Sequence, residues 1–77
     1  MKEFIEYVAK SLVDKPEQVI VKETETGDVL NFELSVARED MGKVIGREGG
    51  VIQSIRTILS VAAAKQNKRA TLEIIEK

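Results

Sequence analysis

The 77-residue chain has no cysteine and no histidine, a single proline, and only two phenylalanines and one tyrosine as aromatic residues. Without cysteine there is no disulfide framework, no thiolate metal site and no thiol redox chemistry, as a reducing compartment allows. Without cysteine or histidine, the Ser-His and Cys-His pairings that activate nucleophiles are absent. Long hydrophobic runs are missing too: the longest, around "ILSVAAA", is far too short to span a bilayer. The opening "MKEFIEYVAKSLVDK" carries Glu3, Glu6 and Asp14 and no continuous apolar core of a leader, so a soluble, cytoplasmic protein is expected. A chain of this length is one domain at most, burying roughly 60% of its unfolded surface.

Charge of either sign is abundant but unevenly placed. The net charge is -1, yet residues 1 to 37 hold four basic and eight acidic side chains, residues 38 to 69 seven and three, and residues 70 to 77 one and two. The segment sums are therefore -4, +4 and -1. The basic third contains Arg38, Lys43, Arg47, Arg56, Lys65, Lys68 and Arg69. Short charge imbalances also occur on any solvated surface, so the asymmetry alone does not name a polyanionic partner.

Hydrophobic spacing gives the elements. Phe4, Ile5, Val8 and Leu12 recur at helical spacing over residues 3 to 13, and Lys15-Pro16 closes that helix because the residue before proline avoids helical geometry. Residues 19 to 25 read as a strand. Residues 29 to 36, "VLNFELSV", alternate with Leu30, Phe32, Leu34 and Val36 on one face, and Thr26-Gly27-Asp28 makes the hairpin turn. A short helix is expected from about Arg38 to Val44, with Glu39 and Asp40 as acids in its first turn. A long helix follows from about Gly50 to Gln66, then a turn at "NKR" and a strand over residues 70 to 75. Two helices between the second and third strands make a crossover, so these strands should run parallel. The expected fold is α+β: a three-stranded mixed sheet with helices on one face, one domain over residues 1 to 77 with its core motif at 38 to 76 and an N-terminal helix and strand at 3 to 25.

Four of the five glycines, Gly42, Gly46, Gly49 and Gly50, fall within nine positions just before the long helix. Gly46 and Gly49 bracket Arg47-Glu48 in a tight turn, a place for positive φ and close backbone approach. The unpaired N–H groups and positive end of the following helix would point at whatever occupies that turn, and phosphate suits them. Arg47 at the tip and Lys43 one turn earlier would add charged donors. An ordinary helix-turn-helix connection would use glycines in the same way.

The aliphatic frame goes further. Val44, Ile45, Gly46, Gly49, Ile52 and Ile55 give V-I-G-x-x-G-x-x-I-x-x-I, which resembles the KH domain, a module whose GxxG loop clamps about four single-stranded nucleotides. The order helix, strand, strand, helix, helix, strand resembles its type II form. With one module and nothing else, "REDMGKVIGREGG" and "RTILSVAAAKQNKRATLEI" look like the small bacterial single-KH proteins of the KhpA type. The resemblance implies single-stranded RNA as partner, with Gly46, Arg47, Glu48 and Gly49 as the phosphate clamp. Ile45 and Ile52 would lie at the groove floor, where plain core packing is the simpler reading and both roles can hold at once, and Gly42, Lys43, Gly50 and Arg56 would flank it. It implies an RNA chaperone or post-transcriptional regulator without cofactor or metal. Two features point to modest affinity. Glu48 puts a carboxylate where phosphate passes, a repulsion on the order of 1 kcal/mol. No aromatic follows Phe32, which removes base stacking of about 1–3 kcal/mol per base. The short turn at Lys68 and Arg69 corresponds to the family's variable loop.

Projected at about 100° per residue, the long helix gathers Ile52, Ile55, Ile58, Leu59, Ala62 and Ala63 into a core stripe. Val61 lies outside it, beside Ser54, Thr57 and Ala64, a 3-4-3 spacing that suits close approach of a second helix. An incidental exposed valine is an equally simple reading. The resemblance favours a homodimer, or pairing with a larger KH-containing partner, and the alternative function is such a protein-interaction module with little RNA contact of its own. An enzyme is not expected: "GREGGV" lacks the Lys-Ser/Thr of a P-loop and the G-x-G-x-x-G spacing after a strand.

Overall fold

The computed structural model describes residues 1 to 76. Helix α1 spans Lys2–Leu12, strands β1 and β2 span Ile20–Thr26 and Val29–Val36, helices α2 and α3 span Met41–Ile45 and Gly50–Ala64, and β3 spans Arg69–Glu76. Single 3-10 turns lie at Pro16–Gln18, Arg38–Asp40 and Arg47–Gly49. The sheet order is β1-β2-β3, with β1 antiparallel and β3 parallel to the central β2. The helical crossover expected between β2 and β3 is thus present, and the element order is that of the α+β type II arrangement.

Strand β2 forms the floor of the core. Its alternation sends Leu30, Phe32, Leu34 and Val36 inward, each almost fully buried, while Glu33 on the opposite face is exposed. Neighbouring strands add Val21, opposite Leu34, and Leu72, opposite Phe32. Helices α1 and α3 cover this floor with Ile5 and Ala9, and with Ile52, Ile55, Leu59 and Ala63. Ala9 takes the seat the periodicity assigned to longer side chains, and its small size lets α1 lie close to the sheet. Leu12, in the last turn, is 38% exposed.

The core stripe of α3 is narrower than its periodicity predicts. Ile58, assigned to the core stripe, is 50% exposed, and Ala62 is only partly buried. The sheet accepts the narrow arc centred on Leu59; Ile58 lies about 100° around the helix from it, on the side of α1, where the space between the two helices remains open.

Helix α3 ends at Ala64, two residues before the expected Gln66, through a Schellman motif. Asn67 adopts φ 59°, its N–H donates to the Ala64 carbonyl at 3.0 Å, and the Lys68 N–H donates to the Ala63 carbonyl at 2.9 Å. Asparagine is the non-glycine residue best suited to that left-handed position. The chain then enters β3 directly, the Arg69 N–H donating to the Asp28 carbonyl at 2.8 Å.

Candidate nucleic-acid interface

The glycine segment forms the sharp joint between α2 and α3. Gly46 closes α2, its N–H donating to the Gly42 carbonyl at 2.9 Å, and adopts φ 77° and ψ 175°. A side chain there is excluded twice: by that φ, and because a Cβ would stand only 2.8 Å from both the Cβ and the backbone nitrogen of Val51. Gly49, at φ 75°, is the last residue before α3, and its N–H donates to the Gly46 carbonyl at 3.1 Å. Gly42 and Gly50 have neither positive φ nor a crowded neighbour. Of the four clustered glycines, the backbone therefore requires the two that bracket Arg47-Glu48.

Between them Glu48 sits at φ 54° and ψ 28°, a left-handed conformation costly for a residue with a Cβ. Arg47 and Glu48 are both exposed at the tip. Helix α3 starts with no side-chain cap; the Gly49 and Gly50 N–H groups donate to the Gly46 and Arg47 carbonyls within the loop, and the positive end of the helix dipole lies beside it. Ile45 is partly buried, whereas Ile52 is 5% exposed and belongs to the core.

The cations expected around the loop separate into two groups. Arg47 is exposed. Lys43 instead pairs with Asp14 and, at 3.5 Å, with Asp40. Arg56 donates from Nε and Nη2 to the Leu72 carbonyl of the edge strand β3, at 3.1 and 3.0 Å. Lys68 pairs with Glu25 at 2.6 Å, and Arg69 is exposed.

Sequence reasoning missed the role of Asp40. It is 1% exposed, the sole buried charged side chain among the described residues, and its carboxylate accepts from the backbone N–H groups of Asp14 at 3.2 Å and Lys15 at 3.0 Å. Burial alone would raise its pKa, but those two N–H donors and the Lys43 ammonium outweigh burial and hold it below the ordinary aspartate value. The Lys43 pKa is raised, chiefly by its hydrogen bond to Asp14. Lys15 also pairs with Glu39, raising the lysine and lowering the glutamate chiefly through that hydrogen bond. The acids read as helix-dipole partners thus fasten the segment after α1 to the start of α2, the helix that carries the loop.

The other side of α3 is apolar. Ser54, Thr57, Val61 and Ala64 are all exposed. The Ser54 and Thr57 hydroxyls donate back to the Gly50 and Gln53 carbonyls at 2.9 and 3.0 Å, which satisfies them within the helix. Beside this seam runs a groove that the sequence did not disclose, walled by Phe4, Val8 and Leu12 of α1 and by Val51 and Ile58 of α3. It continues past Val61 towards Lys65. No helix among the described residues is long and apolar enough to cross a membrane, and no group of three or more acidic side chains among them is placed to hold a metal ion.

Two helices joined by G-x-x-G, set on a sheet whose outer strand runs parallel to the centre, define a KH domain of type II. The family model of the KhpA/KhpB KH domain matches residues 2–74. Among curated proteins, the RNA-binding protein KhpA of Chlamydia pneumoniae is 50% identical over 76 residues, 99% of this chain and 97% of the relative. That of Clostridium perfringens is 52% identical over 75 residues, 97% of this chain and all of the relative. The Listeria monocytogenes protein is 45% identical over 76 residues, 99% and 100% of the two chains. The chain belongs to the KhpA/KhpB KH-domain family, which is not an enzyme family.

Proposed function

We propose that this protein binds single-stranded RNA through its GxxG loop, with little dependence on sequence, and acts in the cytoplasm as a small RNA chaperone or post-transcriptional regulator. The observation that carries the reading is the loop itself. Gly46 and Gly49 hold a backbone conformation that other residues resist, beside the N-terminal end of α3 and an exposed Arg47. That combination offers the positive end of a helix and one charged donor to a phosphate backbone. The names of the relatives, RNA-binding proteins covered over nearly their whole length, support it. Gly42, Lys43, Ile45, Glu48, Gly50, Ile52 and Arg56 surround this contact, Ile52 and Arg56 by shaping the floor and outer wall. Affinity is modest, because Glu48 opposes phosphate and Lys43 is engaged by Asp14 and Asp40.

A titration of short fluorescent single-stranded RNA with the unaltered protein and with a variant replacing Arg47-Glu48 by Asp-Asp, at two salt concentrations, tests the reading. Binding should weaken with salt, as released counterions require, and be lost in the variant. Salt-insensitive binding, or none at high micromolar protein, rules the loop out as the RNA contact.

A second reading is favoured by the apolar groove and the seam of Ser54, Thr57, Val61 and Ala64. This flank of α3 suits a second copy of the chain, because an isologous contact needs only one self-complementary helix face. It equally suits a larger KH-containing protein. A homodimer would place two loops on one RNA and raise avidity without any new contact.

A further inference from the structure

We propose that the Arg56 guanidinium is the surface on which this protein stacks a base of single-stranded RNA, in place of the aromatic residues that the chain lacks after Phe32. The inference rests on the RNA-binding reading above and adds a base contact to a site otherwise described by its phosphate contacts.

Three observations combine. The first is orientation. A guanidinium is planar and carries five N–H donors; here Nε and Nη2 both donate to one acceptor, the Leu72 carbonyl. Two bonds from one plane to one oxygen hold that plane, whereas a lysine ammonium at the same place has no plane to hold. The second is position. Arg56 lies on the flank of α3 opposite Ile58, seven residues beyond Gly49, or about 10 Å along the helix axis. A strand of about four nucleotides clamped at a GxxG loop covers that distance. The third is access. The side chain is only partly buried and reaches the edge strand of the sheet, so it forms the wall where α3 meets β3.

The chemistry is that of a cation over a π-face. Single-stranded bases stack on arginine planes as well as on aromatic rings, and every base offers such a face. Contact of this kind is tolerant of sequence. It also ends the expectation from composition that stacking is closed to this chain, since composition counts rings and not immobilised guanidinium groups.

The test is an abasic-site scan along a six-nucleotide RNA, one position at a time, against the unaltered protein and Arg56→Lys, with NMR of the arginine side chains in the complex. The unaltered protein should lose about tenfold in affinity when one particular base is removed. Arg56→Lys, which keeps the charge, should bind the intact RNA about tenfold more weakly and be indifferent to that base. The Arg56 δ-proton resonances should move upfield under the ring current of the base, a shift that a phosphate contact does not give. The scan and the spectra of the unaltered protein read the stack even where Arg56→Lys is unstable. Equal sensitivity at all positions, unchanged δ-proton shifts, or full affinity in a folded Arg56→Lys overturns the stack while leaving the RNA reading intact. Absence of any binding by the unaltered protein overturns both.

Discussion

The two flanks of α3 are built from one amphipathic segment and differ in almost every physical respect. On one side lie the glycine joint, Arg47 and the Arg56 fork to β3; on the other lie Ile58, Val61 and the groove against α1. The first flank offers a helix N-terminus and charge, so phosphate contacts made there should fall with salt. The second offers apolar area with its hydroxyls already satisfied, so contacts there gain from burial and are little affected by ionic strength. Between them the row Ile52, Ile55, Leu59 and Ala63 is committed to the core. A single helix thus keeps two kinds of surface apart, and a substitution can be aimed at one without the other.

The largest effect should come from removing what both flanks share. Phe32→Ala, at the centre of the floor and 1% exposed, should cost about 3–5 kcal/mol, enough to unfold much of so small a domain. Urea denaturation followed by circular dichroism reads it, and near-normal stability would show that β2 is not the floor. Gly46→Ala should affect the glycine-loop flank next. The added methyl meets Val51 and must hold φ 77°, so a stability loss of about 1–3 kcal/mol should accompany loss of RNA binding. A variant that binds RNA normally would mean that the loop geometry is dispensable.

Val61→Asp addresses the other flank alone. Val61 is 56% exposed, so stability should hold while light scattering reports a monomer, and affinity for a short RNA that fits one loop should not change. An unchanged mass would remove this face as the contact between copies. Acid sharpens the comparison further. The folded-state pKa of Asp40 is depressed, so the unfolded chain binds the proton more readily, and the carboxylate contributes stability above its ordinary value of 3.8. That contribution should disappear as pH falls through the lower folded value. An Asp40→Asn variant should therefore show a lower melting temperature at neutral pH and a weaker dependence on acid; parallel acid profiles would contradict this. The smallest change is Glu48→Gly, which relieves a left-handed glutamate and removes a carboxylate from the tip of the loop. Relief of the left-handed strain less the conformational entropy glycine loses should raise stability by about 0.5–1 kcal/mol and tighten RNA binding a few fold, visible in the same titration.

Much of this was legible in the chain. The alternation in "VLNFELSV" marks the central strand because a two-residue period has one interpretation in a half-covered sheet. The spacing of Gly46 and Gly49 before a long helix marked the joint. Less legible was anything that depends on how wide the sheet is beneath α3. Periodicity puts Ile58 and Leu59 in one stripe, but only the arc facing the strands is covered, so Ile58 is left for the groove. Asp40 was likewise read as a helix-start acid, since nothing local indicates that the backbone of Asp14 and Lys15, 26 and 25 residues away, donates to its carboxylate.

By itself, the sequence determined the elements, their order, the parallel pairing of β2 with β3 and the glycine joint, because these follow from local periodicity, turn chemistry and the length of a crossover. Only the tertiary structure decided how each cation is engaged. Lys43, Arg47 and Arg56 look alike along the chain, yet folding brings the first to two aspartates and the third to a carbonyl on the edge strand, and leaves Arg47 in water. The partners of a long charged side chain are set by distant segments that packing brings within 3 to 4 Å, and no local pattern encodes them.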